Sequence, residues 1–356
     1  MKILAILRGF PGLGRVVAGV SILEELRDQH GFKIKMISYL QGNLYLKTRG
    51  YSTNEVSPRD YCPLGLLPTS LFGADIHRTI SEWKPNLILI DGEPLMLHSI
   101  KLSHPSLPVI TLLNPSDVEN PHNDKAAMDY FRNIYAMADL AIVHGLQRPS
   151  LPSGFKATSF YAIDTILRKE ILSIKRKPSR QIYCILGGGT TNTDATFFAT
   201  TLRMAELCLS VAHHISDYQF HIVCANADLC HKLTEKKIPS NVTLYQDILS
   251  PETYYINAEI ILTRAGRNTL SEVAFLQIPT LVFVTGDIYR QEEQRQNVAA
   301  LQHPQICCMD LESNPAKLIS AILSILSHHV GEERPFCDNQ EAIRAILYFI
   351  EQTIDK

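Results

Sequence analysis

The hydrophobic positions of this chain fall into short unbroken runs, separated by longer stretches in which apolar residues recur every three or four positions. Runs of that length bounded by polar, Gly or Pro residues read as buried strands, and the three-to-four spacing reads as helices with one packed face. In the first half the runs are Lys2–Leu7, Lys33–Ser38, Asn86–Ile90, Val109–Leu113 and Leu140–Val143, with Val16–Leu26 and Lys125–Met137 as the clearest helices. The pattern restarts at Gln181–Leu186 and breaks into Gly187-Gly188-Gly189-Thr190-Thr191-Asn192. It continues through a helix at Ala195–Ala212 and strands at His221–Ala225, Val242–Tyr245, Glu259–Thr263 and Thr280–Val284. Strands alternating with helices define an α/β protein with parallel sheets.

The restart sets the domain organisation. Residues 1–165 and 181–335 form two α/β domains, joined by a basic stretch within 166–180 that contains RKEILSIKRKPSR. That stretch reads as a solvated linker, with a phosphate or membrane contact as the weaker alternative. Residues 336–356 hold an amphipathic helix, Asn339–Ile354, which can pack back toward the first domain. Two such domains with a cleft between them suit an enzyme that joins a donor to an acceptor, because ligands of open α/β sheets bind beyond the carboxyl ends of the strands.

Composition narrows the classes. A formal charge of −2 lacks the basic excess of a nucleic-acid binder, so no nucleic-acid partner is expected. The apolar fraction of 46% is that of a globular protein. Apolar Met1–Leu7 runs into a Gly-rich loop without a signal-peptide cleavage site, and reads as a first core strand. Eight cysteines, Cys62, Cys184, Cys208, Cys224, Cys230, Cys307, Cys308 and Cys337, form no CxxC pair and read as reduced thiols of a cytoplasmic protein.

The densest candidate chemistry lies between Arg264 and Asn297. An apolar strand ends at Thr263, Gly266 permits a tight turn, and a helix starts near Asn268 or Thr269. A helix N-terminus there offers backbone N–H groups and a positive dipole end to an anion. Glu272, one turn on, can accept hydrogen bonds from a ribose diol. Read alone, the stretch is equally an ordinary strand–turn–helix whose capping box joins Asn268 or Thr269 to Glu272. A second strand then opens at Pro279, followed by Gln291-Glu292-Glu293-Gln294-Arg295-Gln296-Asn297 at a helix start. Amides and carboxylates so clustered match sugar hydroxyls with paired donors and acceptors, although a solvated helix face has the same composition.

In order and spacing, Arg264, Gly266, Thr269, Glu272, Pro279, Gln294 and Asn297 resemble the donor-site signature of family 28 glycosyltransferases, the family that includes the lipid II-forming enzymes of peptidoglycan synthesis. The resemblance is strongest from Arg264 to Leu301. It implies the GT-B architecture, two Rossmann-like domains facing a central cleft. It also implies a nucleoside-diphosphate sugar as co-substrate, UDP-linked by default, with no cofactor. Arg264, Gly266, Arg267, Asn268 and Thr269 then lie at the donor diphosphate, with Gly188, Gly189 and Thr190 of the Gly-rich loop and Gly14 of the first domain. Glu272 holds the ribose, Tyr245, Gln246 and Ile248 lie at the nucleobase, and Glu293, Gln294 and Asn297 at the sugar. Asn114-Pro115-Ser116 is similar to a cleft loop of the first domain.

The first loop departs from the family. Arg8-Gly9-Phe10-Pro11-Gly12-Leu13-Gly14-Arg15 ends in arginine where many relatives carry histidine, and an arginine cannot act as a base at neutral pH. Arg15 is expected instead to neutralise diphosphate or bind an anionic acceptor. The base then falls to Asp91 or Glu93, which follow an apolar strand where burial can raise a carboxylate's basicity. A carboxylate capping the next helix is the competing reading of that pair, and His98, His122 and His144 are weaker candidates. Tyr61–Phe72 is apolar and Pro-rich, so it either packs over the domain edge or touches a lipid-linked acceptor at the inner membrane face.

The expected reaction is inverting transfer to a hydroxyl or amine. No metal is called for, because no aspartate-rich motif is present and helix dipoles can hold the phosphates. A nucleotide-sugar hydrolase or epimerase, and a non-catalytic sugar-nucleotide-binding subunit, remain as alternatives.

Overall fold

The computed structural model describes residues 1–9, 13–53, 71–120, 123–187, 195–247, 249–286, 288–327 and 337–353. The chain divides into two compact units: unit 1 comprises Met1–Arg168 with Asp338–Lys356, and unit 2 is Lys169–Cys337.

Unit 1 is built on six parallel strands, β1 (Lys2–Leu7), β2 (Lys33–Ile37), β3 (Leu87–Asp91), β4 (Val109–Leu113), β5 (Leu140–His144) and β6 (Phe160–Ile163), in the order β2-β1-β3-β4-β5-β6. Its helices are α1 (Gly14–His30), α2 (Gln41–Thr48), α3 (Leu71–Trp83), α4 (Pro94–Ser103), the single turn α5 (Pro115–Val118) and α6 (Lys125–Tyr135). Alternation along each strand sends side chains to both faces. Ile3, Ala5 and Leu7 join a core with Val16, Val20 and Leu23 of α1, whereas Leu4 and Ile6 join a second core with Ile76, Met96, Leu97 and Ile134.

Unit 2 repeats the plan. After α7 (Lys169–Ser173) come β7 (Gln181–Ile185), α8 (Ala195–Ala212), β8 (Gln219–Val223), α9 (Ala227–Thr234), β9 (Val242–Tyr245), α10 (Pro251–Tyr255) and β10 (Ala258–Arg264). They are followed by α11 (Arg267–Phe275), β11 (Thr280–Phe283), α12 (Ile288–Leu301), β12 (Ile306–Met309) and α13 (Pro315–Ser327). All the strand pairs are parallel, in the order β12-β11-β10-β7-β8-β9.

Two strands were not expected from the hydrophobic pattern, β6 and β12. Both are edge strands with partly exposed side chains, so neither carries an unbroken buried run. The basic stretch is largely exposed, and it also bonds to the rest of unit 2. Arg176 donates to the carbonyls of Gln277 at 2.7 Å and Ala258 at 2.9 Å, and Lys177 N–H reaches the Ile256 carbonyl at 2.7 Å. Two carbonyls that need donors explain why the arginine turns inward.

The last helix, α14 (Asn339–Thr353), is part of unit 1. Ala342, Ile343, Ala345, Ile346 and Ile350 lie in the same core as α1 and β1. The Asn339 amide accepts from Leu167 N–H at 2.8 Å and donates to the Leu167 carbonyl at 2.9 Å.

On the opposite face of the sheet, His77 of α3 places Nδ1 3.2 Å from Nε2 of His104 and Nε2 2.8 Å from Ser99 Oγ. Burial, and then the neighbouring His104, lower the His77 pKa from its ordinary 6.5. The unfolded chain therefore binds this proton more readily. The His77 contribution to stability is complete above about pH 6.5 and is lost as the pH falls toward the lower folded-state value. Between about pH 7.5 and 5.5 the thermal midpoint should fall less steeply in His77→Gln than in the parent protein. Parallel slopes would remove His77 from the acid response.

Candidate functional site

In an open parallel sheet, a crevice forms where neighbouring strands send their connections to opposite sides, and ligands bind at the carboxyl ends of those strands. In unit 1 that point lies between β1 and β3, and in unit 2 between β7 and β10. Arg15, Asp91 and Glu93 lie at the first point, and Arg264 with Gly266–Thr269 at the second.

In unit 2, β7 ends at Ile185, two residues before Gly187, and β10 ends at Arg264. Gly187 adopts φ +112°, and a Cβ there would lie 2.7 Å from Arg264 Cζ. The guanidinium therefore lies across the glycine, with Cζ 4.6 Å from the ring centroid of Phe197 on α8. A stacked arginine in this pose is a fixed planar cation. Beside it α11 begins, with Gly266 as its N-cap in extended conformation. Gly266, Arg267, Asn268 and Thr269 are all half-buried on this first turn, where the helix dipole is positive.

The capping box does not form. Glu272 instead turns inward, is 2% exposed, and accepts a 2.8 Å hydrogen bond from Tyr255 Oη of α10. Tyr245 closes β9, with its hydroxyl 3.0 Å from His221 Nδ1, and Gln246 is exposed beyond it. Gly188, Gly189, Thr190 and Ile248 lie outside the described residues.

The amides of α12 are engaged with backbone. Gln294 accepts from Thr285 N–H at 3.1 Å and donates to the Thr285 carbonyl, while Asn297 donates to the Ala265 carbonyl at 3.4 Å. Gln291 donates to the Gly286 carbonyl at 2.8 Å, and Gly286 N–H donates to Thr200 Oγ1 at 2.9 Å. Gln294 and Asn297 thus pin the loops after β11 and β10, whereas Glu293 is exposed.

In unit 1, the chain turns after β3 through Asp91-Gly92-Glu93. Gly92 has φ +77°, and a Cβ there would lie 2.8 Å from Arg15 Nε. Arg15, in the first turn of α1, lies over that turn. It donates to Asp91 Oδ1 at 3.0 Å and to both oxygens of Asp117 at 2.7 and 2.8 Å. Burial opposes the Arg15 charge, but Asp117 and Asp91 more than offset it and hold the guanidinium pKa well above its usual value. Arg15 is therefore ion-paired within the protein and is not the open anion receptor expected from its sequence position. Asp117 was missed. It is the fourth residue of a capping box, accepting from Asn114 N–H at 2.7 Å, and the Asn-x-x-Asp spacing was its signal.

Glu93 is fully buried and stands at the N-cap of α4 without capping it; its Oε1 accepts from Tyr39 Oη at 2.6 Å. A pocket of about 410 Å³ opens beside these groups, with Arg8, Ser116 and Asp117 on its polar side and Pro94, Met128 and Phe131 on its apolar side. Tyr135 also lines it, and burial, then Asp117, push its phenol well above the ordinary value. Gly14, the first residue of α1, is half-buried. His144 is buried and accepts from Ile166 N–H at 3.4 Å, His98 is half-buried on α4, and His122 lies outside the described residues. Of Tyr61–Phe72, only the backbone of the last two residues is described, as the start of α3. Among the described residues, the cysteines are free thiols, and no group of three or more His, Cys, Asp or Glu side chains converges on a metal site.

Two Rossmann-like units, each with its candidate residues at a sheet switch point, make this a GT-B fold. A spinosyn rhamnosyltransferase complexed with spinosyn aglycone superposes with a TM-score of 0.62 at 14% identity, covering 100% of this chain and 96% of that one. The UDP-GlcNAc 2-epimerase of Methanocaldococcus jannaschii, in complex with UDP-GlcNAc and UDP, gives 0.63 at 12% identity, covering 98% and 100%. Residues 184–344, most of unit 2, match the glycosyltransferase family 28 C-terminal domain. In sequence, the UDP-N-acetylglucosamine–N-acetylmuramyl-(pentapeptide) pyrophosphoryl-undecaprenol N-acetylglucosamine transferase of Acetivibrio thermocellus is 25% identical over 178 residues. That match spans 45% of each chain.

Proposed function

We propose that this protein is a glycosyltransferase that moves a sugar from a nucleoside-diphosphate sugar to an acceptor hydroxyl or amine by direct, inverting displacement. The observation that carries the reading is the Arg264 guanidinium held against Phe197 and across Gly187, next to the N-terminus of α11 and the buried Glu272. A fixed cation beside a helix N-terminus stabilises charge as it develops on a leaving diphosphate. In this reading Gly266–Thr269, Arg264 and the Gly188–Thr190 loop receive the diphosphate, and Glu272 receives the ribose hydroxyls. Tyr245, Gln246 and Ile248 flank the base. Glu293 meets the sugar, while Gln294 and Asn297 act by holding the two loops. The family 28 relative named for UDP-N-acetylglucosamine and a pyrophosphoryl-undecaprenol acceptor makes a UDP donor and a lipid-linked acceptor the first to try.

In unit 1 the acceptor enters the pocket beside Asp117. Asp91 gives an oxygen to Arg15, so a proton taken there would break an ion pair. Glu93, whose Oε1 accepts from the Tyr39 phenol at 2.6 Å, is the second candidate base. Arg15 orients the carboxylates of Asp91 and Asp117.

The test is a thermal-shift series with UDP, thymidine diphosphate and UDP-sugars, followed by product analysis. UDP should raise the midpoint by several degrees at saturating concentration, and Glu272→Ala should abolish the rise. If donor alone were rapidly hydrolysed or isomerised, transfer would not be the reaction.

A further inference from the structure

We infer that Tyr255 is a positioning residue for donor recognition, its phenol fixing the carboxylate of Glu272 in the pose that reads the ribose diol; this rests on the assignment of Glu272 proposed above. Tyr255 Oη lies 2.8 Å from Glu272 Oε2, and the two residues are 1% and 2% exposed. A glutamate side chain has three rotatable bonds, and fixing one carboxylate oxygen before the ligand arrives removes ordering that binding would otherwise have to supply.

The phenol is itself fixed. The Tyr255 ring stands edge-on to Tyr254, with centroids 4.4 Å apart at 69°. Tyr254 leans on Tyr183 of β7, and Tyr183 stacks on His221 of β8 at 4.5 Å. Lys177 N–H and Ser179 N–H donate to the carbonyls of Ile256 and Asn257, which follow α10 directly. The hydroxyl is thus braced by β7, the strand that leads to Gly187.

The hydroxyl has little to do for packing. Neither Tyr254 nor Tyr255 belongs to the apolar core cluster formed by β7, α8 and α9. Phenylalanine would preserve the edge-on ring contact. What the oxygen adds is a charge-assisted hydrogen bond to one carboxylate, and that carboxylate is one helical turn from the first turn of α11.

The experiment compares UDP with 2′,3′-dideoxy-UDP by calorimetry on the full chain. The parent protein should prefer UDP, and Glu272→Gln should erase that preference. Tyr255→Phe should weaken UDP binding about tenfold and leave the dideoxy ligand within about twofold. Adding Tyr255→Phe to Glu272→Gln should cost nothing further, because there is no carboxylate left to orient. Equal weakening of both ligands in Tyr255→Phe would mean a purely structural pair. No weakening of either, while Glu272→Gln still erases the preference, would also overturn the inference. If UDP does not bind the parent protein, or Glu272→Gln keeps the preference, the ribose assignment itself falls and takes the inference with it.

Discussion

Arg15→Met is expected to lower stability by about 3–5 kcal/mol, the usual result of removing one partner from a buried ion pair. The magnitude follows from what would be left behind. Arg15 is 13% exposed, Asp91 is fully buried and Asp117 is 14% exposed, and one guanidinium serves both carboxylates. Without it, two negative charges would face each other across a dry turn. The midpoint should fall by roughly 10 °C, followed by far-ultraviolet circular dichroism. Adding Asp91→Asn and Asp117→Asn to Arg15→Met should recover most of the loss, since no unpaired charge remains. A single variant that melts within a degree or two of the parent would show that the pairing contributes little.

Gly187→Ala should leave a folded protein that binds donor about ten to a hundred times more weakly, a loss of roughly 1.4–2.8 kcal/mol. A methyl group would enter the space of the Arg264 guanidinium, with Cζ at 2.7 Å, and φ +112° is a conformation that alanine rarely adopts. The arginine is the softer partner. It should leave the face of Phe197, giving up about 0.5–2 kcal/mol of stacking and its fixed orientation. Arg264→Lys with Gly187 intact should reproduce the binding loss, because an ammonium neither spreads over the ring nor presents a planar fork. The measurement is UDP affinity by calorimetry, with melting curves to confirm folding. Unchanged affinity in Gly187→Ala would separate Arg264 from the donor.

The sequence made the interior strands legible because both faces of β1, β3, β4, β7 and β10 are buried, which writes an unbroken apolar run. The edges β6 and β12 escaped because their side chains are only partly buried. The proposed donor motif was readable through a family resemblance, because its residues follow one another along a strand, a turn and two helices. What spacing could not carry was partnership across the fold. Arg15 meets Asp117 over a separation of 102 residues, so an arginine in a Gly-rich loop gave no sign that its charge was already taken. The Gln294 and Asn297 side chains were legible as amides in the right register. That they hold backbone at Thr285 and Ala265 depends on where two loops pass, which the pattern of side chains does not encode.

The place of α14 also bears on how the chain is made. Synthesis runs from the amino end, so all of unit 2 leaves the ribosome before the segment that completes the core of unit 1. Until Asn339–Thr353 arrives, α1 and β1 lack the packing of Ile343, Ile346 and Ile350. Unit 2 needs no residue beyond Cys337 and can finish first. The nascent chain therefore inverts the usual amino-to-carboxyl order of domain maturation, with the earlier-made unit waiting on the later one.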